Sequence, residues 1–326
     1  MELVDAFPRQ TVTVAGDLVA DEYVNCEIQR VSREAPVLIL RQRERRLVPG
    51  GGANAINNLA DLGARVLPAG VVGDDEAGHG LLDYFRRKGI TISGIQTIRG
   101  WPTTTKTRFL AGWTHTAQQQ VLRVDRDASG ARHSANTFAR LAGKAKRFAA
   151  RSGAVLVSDY GCGAITPALV RGLRHPRMTL DSRFTMLDFA KSGLLAATPN
   201  EPELEALYDT RLGADTRRLE SLGRRTLARM GLRALLVTRG KDGMVLFERG
   251  RPPLYIPVHG SEEAVDVTGA GDTVIAVFTL ALAAGASFAE AAHLANYAGG
   301  IVVMKRGTAT VTRDELLAAI RGDATR

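Results

Sequence analysis

Two carboxylates bracket a glycine-rich turn in Asp266–Thr273, DVTGAGDT, and the apolar run VIAVFTLALAA follows at once. A helix beginning here leaves the backbone N–H groups of Thr268, Gly269, Ala270 and Gly271 without intrahelical partners, pointing one way. Such a terminus binds anions: Gly269 and Gly271 let the backbone approach closely, and the helix dipole adds favourable charge. Asp272, in the first turn beside that anion, is placed to accept the proton of a hydroxyl that attacks a phosphoryl group. Asp266 is the less catalytic acid of the two, suited to tying down the turn's own N–H groups. The apolar helix that follows is expected to be central, which holds the cradle rigidly.

Other constellations narrow the chemistry. In Pro49–Gly63, PGGGANAINNLADLG, the residues Gly50, Gly52 and Ala55 formally fit a dinucleotide fingerprint. That fingerprint needs a buried strand before the glycines, and RQRERRLV is a poor one. The better reading is a tight turn into a helix that presents Asn54 to a polyol. There is no G-x-x-x-x-G-K-[ST] loop, no G-x-S-x-G elbow, and no ligand spacing among the six histidines. Cys26 and Cys162 are too few for a disulfide framework.

The elements that must position these residues alternate. TVTVAGD, RVLPAGVVGD, GAVLVSDY, MTLDS, LLAATPN and RALLVTRG read as short strands, most followed by helices. Alternation of this kind predicts a mostly parallel sheet covered on both faces, with ligands gathered at the carboxyl ends of its strands. Two segments break the pattern. Val24–Glu44 and Thr103–Asp125 are strand-like, polar at alternate positions and without helix signals. They predict a small projecting sheet, acting as a lid over ligand, a dimer contact or both. The lid spans about residues 20–46 and 101–125 of a single domain covering 1–326.

Composition sets the outer limits. The formal charge of +9 over 326 residues invites anionic partners. Its bases are not interleaved with aromatics, which argues against nucleic acid and leaves phosphorylated small molecules. No stretch approaches the roughly 18 apolar residues of a membrane span, so a cytoplasmic protein is expected.

These residues together resemble the pfkB, or ribokinase-like, carbohydrate kinases. The likeness rests on Gly50, Gly51 and Asn54, on Gly16-Asp17, on Asn200-Glu201-Pro202-Glu203 and on Asp266–Asp272, in matching order over nearly the whole chain. Within that family the chain is most similar to the kinase domain of heptose 7-phosphate kinases of lipopolysaccharide precursor synthesis. SREAPV, TTKTR, LVSDYGCGAIT, TPNEPELEA and LLVTRGKDGM carry that closer likeness.

The resemblance implies an α/β ribokinase-like fold and ATP-dependent phosphorylation of heptose 7-phosphate at its 1-position. It makes Asp272 the base and Gly269, Ala270 and Gly271 the anion hole. Asn200 and Glu203 would engage ATP phosphates and hydrated Mg²⁺, with Glu203 reaching the metal through water. Thr238, Gly240 and Asn296 would line the nucleotide site; Asp17, Gly51 and Asn54 would hold the sugar. Lys106 and Arg108, on the lid, would neutralise a substrate phosphate. A monovalent cation and a homodimer through the lid sheets also belong to the family pattern. The chain departs from it at Asp181-Ser182-Arg183, where the heptose enzymes carry Asp-Pro-Lys, at Arg33 within SREAP, and in a longer lid segment, Ala111–Gln120. No nucleotidyltransferase segment lies within these 326 residues. The alternatives are a related kinase for another sugar or a nucleoside, and a non-catalytic sensor of sugar phosphates or nucleotides that keeps the fold.

Overall fold

The computed structural model describes residues 1–113, 118–127, 135–261 and 263–324. In chain order its strands are β1 (Thr11–Gly16), β2 (Leu18–Val31), β3 (Leu38–Gly51), β4 (Arg65–Gly73), β5 (Ile95–Ile98), β6 (Thr105–Gly112) and β7 (Gln119–Arg126). β8 (Ala154–Asp159), β9 (Met178–Ser182), β10 (Ala196–Ala197), β11 (Ala234–Thr238), β12 (Met244–Glu248) and β13 (Leu254–Ile256) follow. Nine of them form one sheet in the order β13-β12-β11-β10-β9-β8-β1-β4-β5. Pairing is parallel from β5 to β11, and β12 and β13 add an antiparallel edge.

Strands β8 and β1 are buried on both faces, as their continuous apolar runs require. One core lies between the sheet and the helices Gly52–Asp61, Ala270–Ala283 and Phe288–Val302; the other lies under Ala135–Ala149, Pro167–Leu173 and Thr216–Met230. The helix Ala270–Ala283 is buried continuously from Asp272 to Leu282, as its all-round apolar sequence predicts. Its inward hydroxyl, Thr279, is satisfied by Ile275 O at 2.7 Å and Thr179 Oγ1 at 2.6 Å.

The projecting segments form a separate four-stranded sheet, β3-β2-β6-β7. Two antiparallel hairpins are joined by parallel pairing of β2 with β6. RQRERRLV is therefore a strand, but an exposed one within β3, which is why it failed as a buried strand. The register sets Asp21 opposite Lys106 and Tyr23 opposite Arg108 on one face. Val24, Phe109 and Leu122 share the other, with Cys26 beside Ala111. The first face turns to the body of the molecule, where Lys106 lies over the Tyr160 ring just after β8 and Tyr23 meets Thr308 at 2.9 Å. The expected long lid insertion is described only in part, since 114–117 lie outside the described residues.

Two differences from the sequence reading concern the far edge. The expected strand 194–200 is reduced to Ala196–Ala197 and an isolated bridge from Asn200 to Thr238. The short strands β12 and β13 were not anticipated. Gly243 makes the turn into β12, at φ 76°, where a side chain would strike Ile256 O at 2.1 Å.

Candidate active site

Because the strands from β1 to β11 are parallel, Asp17, Tyr160, Asp181, Asn200 and Thr238 all emerge at one edge of the sheet. Asp272 enters that edge from the buried helix and is only 3% exposed. Its Oδ1 accepts a hydrogen bond from the Tyr160 hydroxyl at 2.7 Å, and its Oδ2 accepts one from Asn54 Nδ2 at 3.0 Å. Burial pushes its pKa up to about 7, against the pull of these two hydrogen bonds. A carboxyl tuned to that range suits a general base at neutral pH.

Asn54 is fully buried and its orientation is fixed. Asn58 Nδ2 donates to Asn54 Oδ1 at 3.2 Å and to its carbonyl at 3.0 Å, which aims the Asn54 nitrogen at Asp272. Asn58 Oδ1 in turn accepts from the Thr273 hydroxyl and the Val311 N–H. Asn54 therefore sits against the base rather than presenting a free amide to a polyol. Gly269, at φ 79°, lies so close that a side chain there would stand 2.6 Å from Asn54 Nδ2.

The anion cradle is narrower than expected. Thr268 N–H is taken by Asp266 Oδ1 at 2.9 Å, and Ala270 N–H turns to Val267 O at 3.2 Å. Closing the turn consumes those donors. The N–H groups of Gly269 and Gly271 have no recorded partner among the described residues. Asp266 also accepts from Gly307 N–H; burial opposes its ionisation, but the hydrogen bonds outweigh burial and hold it below the usual carboxylate range. Its work is to hold the turn.

Asp17, 1% exposed, accepts from the backbone N–H groups of Tyr160, Cys162 and Ala164 at 2.9, 3.0 and 3.2 Å. It shapes the loop that carries Tyr160. Burial raises its pKa to about 6 despite those bonds. Gly51, at φ 53°, lets this loop close: a side chain there would lie 3.1 Å from the Tyr160 ring and 3.0 Å from Val19.

From the lid, the Lys106 ammonium lies 5.2 Å from the Tyr160 ring centre. Burial first, then the charge of Arg183, lowers its pKa. Arg108 is not a free lid charge. Its Nη1 meets Asp21 Oδ1 at 2.6 Å, and Asp21 is locked by the Thr308 hydroxyl at 2.7 Å.

On the other side, Asn200 caps the helix Glu201–Leu207 through a reciprocal capping box: Glu203 N–H donates to Asn200 Oδ1 at 2.8 Å, and Asn200 N–H to Glu203 Oε2 at 3.0 Å. Burial raises the Glu203 pKa. Asp181 faces it from the end of β9 without a recorded hydrogen bond, and burial, then Glu203 and Asp272, push its carboxyl far up. Among the described residues no group of three or more His, Cys, Asp or Glu side chains could hold a metal directly.

A cleft of about 170 Å³ opens between β11 and the helix Ala270–Ala283, lined by Thr238, Gly240, Ala270, Gly271 and Asn296. Its size suits a base rather than a whole drug-sized ligand. Asn296 donates to Pro257 O at 2.8 Å and so fixes the cleft wall.

The sequence reading named Asp272, its glycines, Asn200 and Glu203, and marked Asp181-Ser182-Arg183 as atypical, but did not name Tyr160 or Asp21. Tyr160 lies within the quoted LVSDYGCGAIT stretch, and its place after a strand ending in Asp was the available signal.

Comparison with known proteins places this geometry. Residues 10–315 match the family model described as pfkB family carbohydrate kinase. The bifunctional protein HldE of Geobacter metallireducens is 39% identical over 317 residues, covering 94% of this chain and 62% of the relative. HldE of Pseudomonas aeruginosa strain UCBPP-PA14 is 37% identical over 318 residues, covering 97% of this chain and 64% of the relative. The chain thus spans somewhat under two thirds of these relatives. Arabidopsis thaliana ribokinase, solved with ribose and ATP, superposes with a TM-score of 0.76 at 20% identity, covering 96% of this chain and 99% of that one. Escherichia coli phosphofructokinase-2, solved with potassium, gives 0.72 at 16%, covering 97% and 99%. The fold is ribokinase-like, and the chain belongs to the pfkB family of carbohydrate kinases.

Proposed function

We propose that the protein transfers the γ-phosphoryl group of ATP to a hydroxyl of a phosphorylated sugar, and that the acceptor is heptose 7-phosphate, giving the 1,7-bisphosphate. The observation that carries the reaction type is Asp272: a buried carboxyl titrating near 7, held by Tyr160 and Asn54 beside the free N–H groups of Gly269 and Gly271. The similarity to HldE over 94% of the chain supports the heptose reading.

In this mechanism ATP lies with its base in the cleft lined by Thr238, Gly240 and Asn296, and its γ-phosphate on Gly269 and Gly271. Asp272 takes the proton from the acceptor hydroxyl as that oxygen bonds to phosphorus, a contribution of about 10²- to 10⁴-fold. The free N–H groups bind charge that grows on the transferring oxygens. Asp181, at the end of β9, and Glu203, beside the Asn200 turn, are part-buried carboxyls whose like charge raises the Asp181 pKa; they would hold Mg²⁺, with waters completing its shell. When bound there, the ion would neutralise phosphate charge. Asn200 would donate its side-chain amide to the phosphates. A homodimer would form through the apolar face of the lid, where Leu122 and Val124 are 54% and 49% exposed.

Incubation with Mg·ATP and a panel of heptose, hexose and pentose phosphates, unphosphorylated sugars and nucleosides tests this reading. ³¹P NMR should show a new anomeric phosphate with heptose 7-phosphate. Product from unphosphorylated sugars or nucleosides alone would remove the sugar-phosphate assignment.

A further inference from the structure

The edge of the sheet opposite Asp272 holds a second, larger cavity, of about 620 Å³, where β1 and β4 begin. β1 runs from Thr11 on its wall to Gly16, next to Asp17 of the active site, so roughly 20 Å of strand separates the two. Arg65, Lys88 and Arg151 line the cavity, and Thr91 and Ser93 add hydroxyls. Among the described residues no Asp or Glu lines it. A basic cavity at the foot of β9 and β11 differs in this respect: it contains Glu248, which meets Arg251 at 3.8 Å.

Main-chain pairing brings the two arginines to either side of Thr11. Thr11 pairs with Arg65 across β1 and β4, and Arg65 N–H donates to Gln10 O at 2.9 Å. On the other side, Thr11 O accepts from Gly153 N–H at 2.8 Å, and Arg151 N–H closes the turn before it on Phe148 O at 2.9 Å. Lys88 follows the helix Glu76–Arg87, and its charge is already answered. Its Nζ meets Asp61 Oδ1 at 2.6 Å, while Asp61 Oδ2 accepts from the Thr310 hydroxyl at 2.6 Å. Arg65 and Arg151 have no ion-pair partner among the described residues. Unpaired arginines are common on this basic chain, but these two share one concave wall from which acids are missing.

We infer that this cavity is a second ligand site, which binds a small metabolite carrying two phosphate groups through Arg65 and Arg151. A guanidinium fork matches phosphate oxygens two at a time, and two forks with no competing carboxylate suit two phosphates better than one. The volume lies within the range of about 300–1,000 Å³ typical of small-molecule sites, and the Thr91 and Ser93 hydroxyls suit the polar remainder of such a ligand. A nucleoside diphosphate and a sugar bisphosphate share this chemistry. The site takes no part in phosphoryl transfer and does not depend on which sugar accepts the phosphate.

Calorimetric titration with pyrophosphate, which carries the two phosphates alone, tests this on the wild type, Arg65→Gln, Arg151→Gln and the double variant. Each single variant should weaken one class of binding by about tenfold or more, as expected for loss of a charge-assisted contact, and the double variant should lose it. Arg229→Gln, which removes an exposed charge on another helix, should leave the titration unchanged. The double variant should keep kcat and KM for ATP within about threefold of the wild type. Identical titrations of wild type and double variant, or an equal loss in Arg229→Gln, would overturn the inference; a larger fall in kcat would overturn the separation of the two sites. ADP and fructose 1,6-bisphosphate, titrated in parallel, distinguish the nucleoside from the sugar: the matching ligand should lose one class of binding in the double variant. If neither does, the cavity is not a metabolite site.

Discussion

At the scale of single residues, the proton chemistry is governed by what touches Asp272. Its hydrogen bonds to Tyr160 and Asn54 stabilise the charged form that burial disfavours. Tyr160→Phe removes one donor and leaves the fold intact, so the Asp272 pKa should rise further. The acid limb of kcat/KM, expected near pH 7 in the parent, should move upward by about half a unit to one unit. Activity well above the limb should change much less. A pH–rate profile checks this, and an unmoved limb would show that Tyr160 does not set the base. Asp272 was legible in the sequence because its glycines are its neighbours along the chain. Tyr160 was not, because its contact with Asp272 spans 112 residues and exists only once β8 and the buried helix are packed. The ion pair of Arg108 was not legible for the same reason: its partner Asp21 lies on a neighbouring strand, 87 residues away.

At the scale of elements, the site is where two helices meet. The helix Gly52–Asp61 brings Asn54 and Asn58; the helix Ala270–Ala283 brings Asp272 and Thr273; the asparagines bind the two together in a buried polar spine. Such a network is costly unless every member is satisfied. Gly269→Ala would force a side chain to within 2.6 Å of Asn54 Nδ2 at a positive φ. It should lower kcat by at least about tenfold and cost about 1–2 kcal/mol of stability, measured by turnover and denaturant unfolding. Parent-like values for both would mean that the contact is not tight. The start of the buried helix was readable from local signals, since the Gly-Ala-Gly turn precedes an apolar run. Which turn amides remain free was not readable. The loss of Thr268 and Ala270 to Asp266 and Val267 depends on how the turn closes.

Over the whole molecule, alternation of strands and helices was enough to anticipate a mostly parallel sheet covered by helices. The short edge strands β12 and β13 carry too little periodicity to stand out. The buried acids also link the site to global stability. Asp272 titrates near 7 in the folded protein rather than at the ordinary 3.8, so between those values the folded state keeps a proton that the unfolded chain has released. That contribution to stability is lost as pH rises through the window. Relative to the parent, Asp272→Asn should therefore gain on the order of 1 kcal/mol or more between pH 5 and pH 8. Unfolding curves at the two pH values measure the difference, and a constant gap would contradict the raised pKa. The lid adds a second expectation at this scale. Leu122→Asp, on its exposed apolar face, should shift a dimer toward monomer in sedimentation, and an unaffected dimer would place the interface elsewhere.

The central claim is that Asp272 accepts the proton from the acceptor during phosphoryl transfer, and the most direct measurement is turnover of Asp272→Asn with Mg·ATP and heptose 7-phosphate. A fall in kcat of about 10²- to 10⁴-fold, with KM for ATP within a few fold of the parent, is the predicted result. Turnover within a few fold of the parent would contradict it.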